Sequence, residues 1–126
     1  MPSVMIVEDD ADTREMLERF LQLEGFDVRT AANGQIALEA LQADSALCVI
    51  LLDLMMPVMN GYEFYAKMRE IPGDHPPVIV VSAVAPMRAE LPGIHATLPK
   101  PFEFSQLLSR VATAVTHGPT QSAAAI

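Results

Sequence analysis

Apolar residues recur along the chain with two alternating periods. Short runs such as "SVMIVE" (3–8), "FDVRT" (26–30), "CVILL" (48–52), "PVIVVSA" (77–83) and "GIHATLP" (93–99) read as strands. Between them, Met16, Leu17, Phe20, Leu21 and Leu23 fall near helical spacing over 11–24. Asp10 or Asp12 offers an N-cap there and Gly25 a stop. Asn33–Gly34 opens a second helix with Ile36, Ala37, Ala40 and Leu41. Gly61 begins a third, bearing Phe64 and Met68 and ended by Pro72–Gly73. Phe104, Leu107, Leu108, Val111 and Val115 follow the spacing of a last amphipathic helix.

Strands alternating with helices predict a parallel sheet covered on both faces. The continuous apolar run 48–52 suits such a sheet, because a strand buried on both sides needs no polar alternation. One segment breaks the alternation. "VAPMRAELPG" carries Pro86, Pro92 and Gly93, which limits any fourth helix to a turn or two. The tail from His117 shows no periodicity and is expected to be loosely held. The expected organisation is one domain, residues 1–116, followed by a tail, 117–126.

Charge narrows the partners. Sixteen acidic against eight basic residues give a formal charge of −8, which argues against a phosphate-neutralising face for nucleic acid. No apolar stretch approaches a membrane span and the first residues do not read as a secretory leader, so a soluble cytoplasmic protein is expected. The single cysteine, Cys48, lies inside an apolar run and reads as a buried strand residue. His75, His95 and His117 show no mutual metal-ligand spacing and read as surface or loop residues.

The candidate chemistry lies at strand ends. If the first, third and fourth strands are neighbours, their carboxyl ends bring together Glu8, Asp9 and Asp10, then Asp53, then Ser82. Carboxylates sharing one edge repel unless a cation lies between them, and an all-oxygen site left partly open suits Mg²⁺. Lys100, between Pro99 and Pro101, can deliver an ammonium to the same edge. A carboxylate nucleophile, a metal, a lysine and a hydroxyl are the parts needed to form an aspartyl phosphate. Each part has a bland reading on its own. "EDD" can simply favour a helix N-terminus, an Asp after a strand can cap a turn, and a Lys–Pro can lie in solvent. Their joint order at strand ends favours the site.

The stretches "VMIVEDDADTREML", "VILLDLMMPVMNGYEF", "VIVVSA" and "LPKPF" resemble the receiver domain of two-component response regulators, of the single-domain, chemotaxis-regulator-like kind, over about residues 3 to 115. The resemblance implies a flavodoxin-like, doubly wound five-stranded parallel sheet of order 2-1-3-4-5 with helices on both faces. It implies that Asp53 is the phosphoacceptor, with Ser82 as the hydroxyl switch and Lys100 as the phosphate-pairing lysine. It also implies Mg²⁺ held by Asp9, Asp53, the Met55 backbone carbonyl and Glu8 through water, and a cis Lys100–Pro101 bond. Asp10, just beyond the matched acidic pair, reads as a helix cap. The implied donor is a histidine kinase or a histidine phosphotransfer protein, and the implied output is altered affinity for an unnamed protein. The domain would catalyse only its own phosphoryl transfer and dephosphorylation.

Two departures from the family pattern stand out. Thr97 occupies the position, three before the lysine, where receivers usually carry an aromatic ring, and the 83–93 segment is short. Met55 and Val84, each two residues past a site residue, are apolar at positions that tune the access of water in the family. A slowly hydrolysing phosphoryl group is expected from them. The alternative is a degenerate receiver that acts as a phosphorylation-independent interaction module. An aspartyl phosphatase would want an acid two residues past the nucleophile, where Met55 stands, and a flavodoxin would want a phosphate-cradling loop where Glu8, Asp9 and Asp10 stand.

Overall fold

A computed structural model describes residues 2–43, 46–117 and 120–121. In chain order the elements are β1 (Ser3–Val7), α1 (Ala11–Leu23), β2 (Asp27–Ala31), α2 (Gly34–Ala43), β3 (Leu47–Leu52) and α3 (Gly61–Glu70). They continue with β4 (Asp74–His75), β5 (Val78–Ser82), a 3-10 turn (Arg88–Glu90), β6 (Ala96–Pro99), α4 (Phe104–His117) and β7 (Thr120–Gln121). Five parallel strands form the main sheet in the order β2-β1-β3-β5-β6. Because the two-residue β4 takes a number, this is the expected flavodoxin-like 2-1-3-4-5 order.

Alternation along each strand divides the core into two layers. Met5, Val7, Ile50, Leu52, Val78 and Val80 face α2 and α3, where Ala37, Phe64, Tyr65 and Met68 complete one cluster. Val4, Ile6, Val49, Leu51, Ile79 and Val81 face α1 and α4, where Leu17, Leu21, Leu107 and Val111 complete the other. Four helices thus supply both coats, and every residue of β1 and β5 is buried.

β3 contains an irregularity that its sequence does not announce. Ser3 pairs with Leu47 and Val4 with Val49, so Cys48 is skipped in the ladder with β1. The bulge reverses the alternation, sending Leu47 to the α2/α3 side and Val49 to the opposite side. It also leaves Cys48 half-buried rather than sealed in the core, with its thiol donating to Ala46 O at 3.6 Å.

Between β5 and β6 the described chain holds a single 3-10 turn in place of the shortened helix. The segment is fixed by point contacts instead. Leu91 is buried in the core, Tyr65 and Arg69 of α3 both donate to Pro92 O, and Met87 N donates to the Tyr62 hydroxyl at 2.9 Å. At the far end of the fold, Asp74–His75 pairs antiparallel with Thr120–Gln121. The rest of the tail expected to be loose lies outside the described residues.

His75 departs from its expected place on the surface. It is 4% exposed, and among the described residues its Nε2 has no hydrogen-bond partner. Long-range packing accounts for this: β4 lies under α3 and beside the Pro92–Gly93 turn, so Tyr65, Met68, Arg69 and Gly93 close over the ring. His95, by contrast, is half-buried just before β6, and the side chain of His117 lies outside the description. Burial lowers the His75 pKa, Arg69 lowers it further, and Asp74 opposes them. A histidine depressed in the folded state stays neutral while the unfolded chain takes up a proton near pH 6.5. Folding stability contributed at this position is therefore present above that pH and lost as pH falls through it. His75→Phe is expected to flatten the decline of the thermal midpoint between pH 7 and 5. Identical pH slopes for variant and wild type would show that His75 does not carry the effect.

Candidate functional site

Three backbone hydrogen bonds carry the sheet pattern one residue beyond its strands and thereby place the site. Glu8 N donates to Ala31 O at 3.0 Å, Asp53 N to Val7 O at 3.0 Å, and Lys100 N to Ser82 O at 2.9 Å. Each site residue is thus held by the strand beside its own, which gives a rigid base to side chains at the carboxyl edge.

Glu8, Asp53 and Ser82 are buried, at 2%, 7% and 3% exposure, while Asp9 is open to solvent. Oxygens of Glu8, Asp9 and Asp53 lie within 4.8 Å of one another. Lys100 Nζ is 2.6 Å from Glu8 Oε1 and 4.0 Å from Asp53 Oδ2. The Glu8 pKa is raised to about 7, with burial as the largest cause, the Lys100 hydrogen bond opposing it and the Asp53 charge adding to it. Negative charge is therefore crowded here beyond what one ammonium balances, and the donors are carboxylate oxygens with one solvent-facing member. That set fits a hard, oxygen-seeking cation such as Mg²⁺.

Asp10 stands apart from the cluster. It is the N-cap of α1, and its carboxylate accepts from Thr13 N at 2.9 Å and from the Thr13 hydroxyl. These bonds lower its pKa. Its own N–H donates to Glu8 Oε2 at 3.3 Å, so the cap also steadies the acid before it.

The loop after β3 is shaped by contacts too close for side chains. A Cβ on Gly61 would meet Asp53 O at 2.5 Å and the Leu54 Cα at 2.7 Å. Gly61 N donates to Leu54 O at 2.9 Å, and Asn60 with Glu63 forms a capping box that starts α3. Between them Val58 holds φ of 68°, the left-handed region that a β-branched residue rarely enters. Met55 lies in this loop with its N–H donating to Asp53 Oδ1 at 3.4 Å and its side chain 62% exposed.

Ser82 ends β5 with its hydroxyl accepting from Val84 N at 3.4 Å. Beside it Thr97, lacking a ring, leaves a cleft of about 260 Å³ bordered by Val84, Pro86 and Leu98. Arg88 reaches across from the 3-10 turn to the Thr97 hydroxyl at 3.3 Å. The Lys100–Pro101 peptide is cis.

The structure thus brings Glu8, Asp9, Asp53 and Lys100 into one cluster, and it joins Ser82 to that cluster through the Lys100 backbone. The sequence reading passed over Arg14, whose Nη1 donates to Glu8 O at 2.8 Å and to Asp9 O at 3.4 Å. The available signal was spacing, since Arg14 stands four residues after the cap and therefore shares its helix face.

Among the described residues no helix is long and apolar enough to cross a membrane. The chain resembles a transcriptional regulatory protein CpxR homolog of Haemophilus influenzae, with 38% identity over 116 residues that cover 88% of this chain and 49% of that protein. It resembles transcriptional regulatory protein PrrA of Mycobacterium tuberculosis at 37% identity, covering 87% of this chain and 48% of that protein. The chain therefore spans about half the length of these curated relatives. Among solved structures, response regulator protein TrrA of Thermotoga maritima, in complex with Mg²⁺ and BeF, superposes with a TM-score of 0.79 at 26% identity, covering 90% of this chain and 99% of that one. The model of the response regulator receiver domain matches residues 4–112. With that match laid over the sheet, its acidic edge and the lysine beside it, the chain belongs to the response regulator receiver domain family.

Proposed function

We propose that this chain is the phosphoacceptor receiver of a two-component phosphorelay, switched by phosphorylation of Asp53. The observation that carries the reading is the buried Asp53 carboxylate beside two further carboxylates and 4.0 Å from the Lys100 ammonium. An Asp53 oxygen attacks the donor phosphorus. The new bond is an acyl phosphate, and the donor's own bond to phosphorus breaks, with the electron pair leaving on the donor. Lys100 is placed to move from Glu8 toward the arriving phosphoryl oxygens, and the Ser82 hydroxyl can donate to one of them. Asp9 and Asp53, with the Met55 carbonyl and with Glu8 through water, would hold Mg²⁺, which when bound offsets the charge of the transferring group.

The donor is a histidine kinase or histidine phosphotransfer protein, and the output is changed affinity for a protein partner in the cytoplasm. The domain catalyses its own phosphorylation and dephosphorylation and no other reaction. With a net charge of −8, nucleic acid is not a direct ligand of this domain. Arg88 on Thr97 takes the place of an aromatic switch, so the readout passes through the 83–95 segment.

Intact mass after incubation with Mg²⁺ and acetyl phosphate tests the reading. One phosphoryl adduct, absent in the presence of a chelator, is expected. With Met55 and Val84 both apolar beside the pocket, its decay is expected to be slow, whereas loss within seconds would remove them as the cause. No adduct from acetyl phosphate or from a phospho-histidine donor would replace this reading with that of a phosphorylation-independent interaction module.

A further inference from the structure

We propose that Arg14 is a positioning residue for the acidic turn, setting its Mg²⁺ affinity from the main-chain side. The proposal rests on the cation-site reading above. The turn Glu8–Asp10 leaves β1 and enters α1, and Arg14 comes back beneath it one helical turn later, with Arg14 N bonded to Asp10 O at 2.9 Å. Its guanidinium then donates to the carbonyls of both acids, Glu8 O at 2.8 Å and Asp9 O at 3.4 Å.

The choice of carbonyls matters chemically. Lys100 holds Glu8 by a carboxylate oxygen, so it occupies a lone pair that a metal or its bound water would use. Arg14 takes main-chain oxygens instead, so these two bonds occupy no carboxylate lone pair. It brings a permanent positive charge next to crowded acids without entering the coordination sphere. It also fixes the peptide planes from which both carboxylates project, while Asp10 N steadies the Glu8 carboxylate from the other side at 3.3 Å. Without Arg14, Glu8 O and Asp9 O lose its hydrogen bonds, and the peptide that carries the Asp9 carboxylate is less firmly held. Groups that orient ligands in this way typically contribute roughly ten- to hundredfold to metal affinity.

The test compares Arg14→Met, which keeps an apolar stem, with Arg14→Lys, which keeps one donor and the charge. Mg²⁺ alone is titrated into each unphosphorylated protein by calorimetry, and thermal midpoints are measured without Mg²⁺. The expected result is a loss of about tenfold or more in Mg²⁺ affinity for Arg14→Met, recovery toward wild type in Arg14→Lys, and similar metal-free midpoints. Wild-type affinity in Arg14→Met would overturn the proposal alone. Equal losses in both variants, tracking lowered midpoints, would also overturn it, because Arg14 would then be only a support of α1. Absence of Mg²⁺ binding by the wild type would overturn the cation-site reading and this proposal with it.

Discussion

Asp53→Asn leaves no phosphoryl adduct and at the same time raises the thermal midpoint at neutral pH. The first effect follows from nucleophilicity, since an amide oxygen at the end of β3 cannot form an acyl phosphate. The second follows from charge. Asp53 is 7% exposed, and its charge adds to the burial that pushes the pKa of Glu8 upward, so a negative charge at Asp53 works against the neighbouring carboxylate. An amide removes that repulsion. The tighter Lys100–Glu8 contact at 2.6 Å remains, and only the 4.0 Å contact to Asp53 is lost. The Met55 N–H keeps an oxygen acceptor at the same position. The gain is on the order of 1 kcal/mol, the scale of two charges a few ångströms apart in a partly screened site. Mass spectrometry and thermal unfolding of one variant therefore move in opposite directions. An adduct retained in Asp53→Asn would place the phosphoacceptor elsewhere, and a lowered midpoint would mean that Asp53 is held by attraction rather than tolerated against repulsion.

That opposition bears on how such a site can be read from sequence. Strand ends are legible because an apolar run has to stop, and what stops it here is Asp53 after "CVILL" in β3 and Glu8 after "VMIV" in β1. The parallel order then follows from alternation with helices, and it brings those ends together without any knowledge of side-chain contacts. Asp10 is legible as a cap because its role is local, spent on Thr13 three residues away. The prolines of 83–93 likewise foretell that at most a turn or two of helix forms between β5 and β6, where a three-residue 3-10 turn stands.

Features that depend on distant partners left no such mark. His75 sits in "GDHPP", which has the composition of a surface turn, yet α3 and the turn at Pro92–Gly93 bury it. Arg69 and Tyr65 secure that turn across 23 and 27 residues of chain. The Cys48 bulge is a matter of register between β1 and β3, and nothing in "LCVILL" marks which residue will be skipped. Arg14 lies between these cases: its spacing from Asp10 was visible, but its target, two carbonyls in the turn, was not.

Gly61→Ala is expected to lower stability and slow phosphorylation together. Asp53 and Gly61 are eight residues apart, but the loop folds back so tightly that a methyl group on Gly61 would stand 2.5 Å from Asp53 O and 2.7 Å from the Leu54 Cα. Both obstacles are main chain, so no flexible side chain can give way. The residue opens α3, where alanine is the better helix former by up to about 1 kcal/mol, which offsets part of the clash. Forced overpacking of this kind costs about 1–3 kcal/mol, and with backbone on both sides the upper end applies. A net loss of about 2 kcal/mol lowers the midpoint by on the order of 5–10 °C. Relief comes only by moving α3 away from β3 or by moving the Asp53–Leu54 peptide, and the second displaces the phosphoacceptor itself. Gly73→Ala gives the contrast: its φ of 100° disfavours alanine, but nothing lies within 4 Å of the added methyl and the site is untouched. It should lose stability without slowing the adduct. If Gly61→Ala also phosphorylates at the wild-type rate while melting earlier, the clash is absorbed by α3 and the Asp53 geometry does not depend on it.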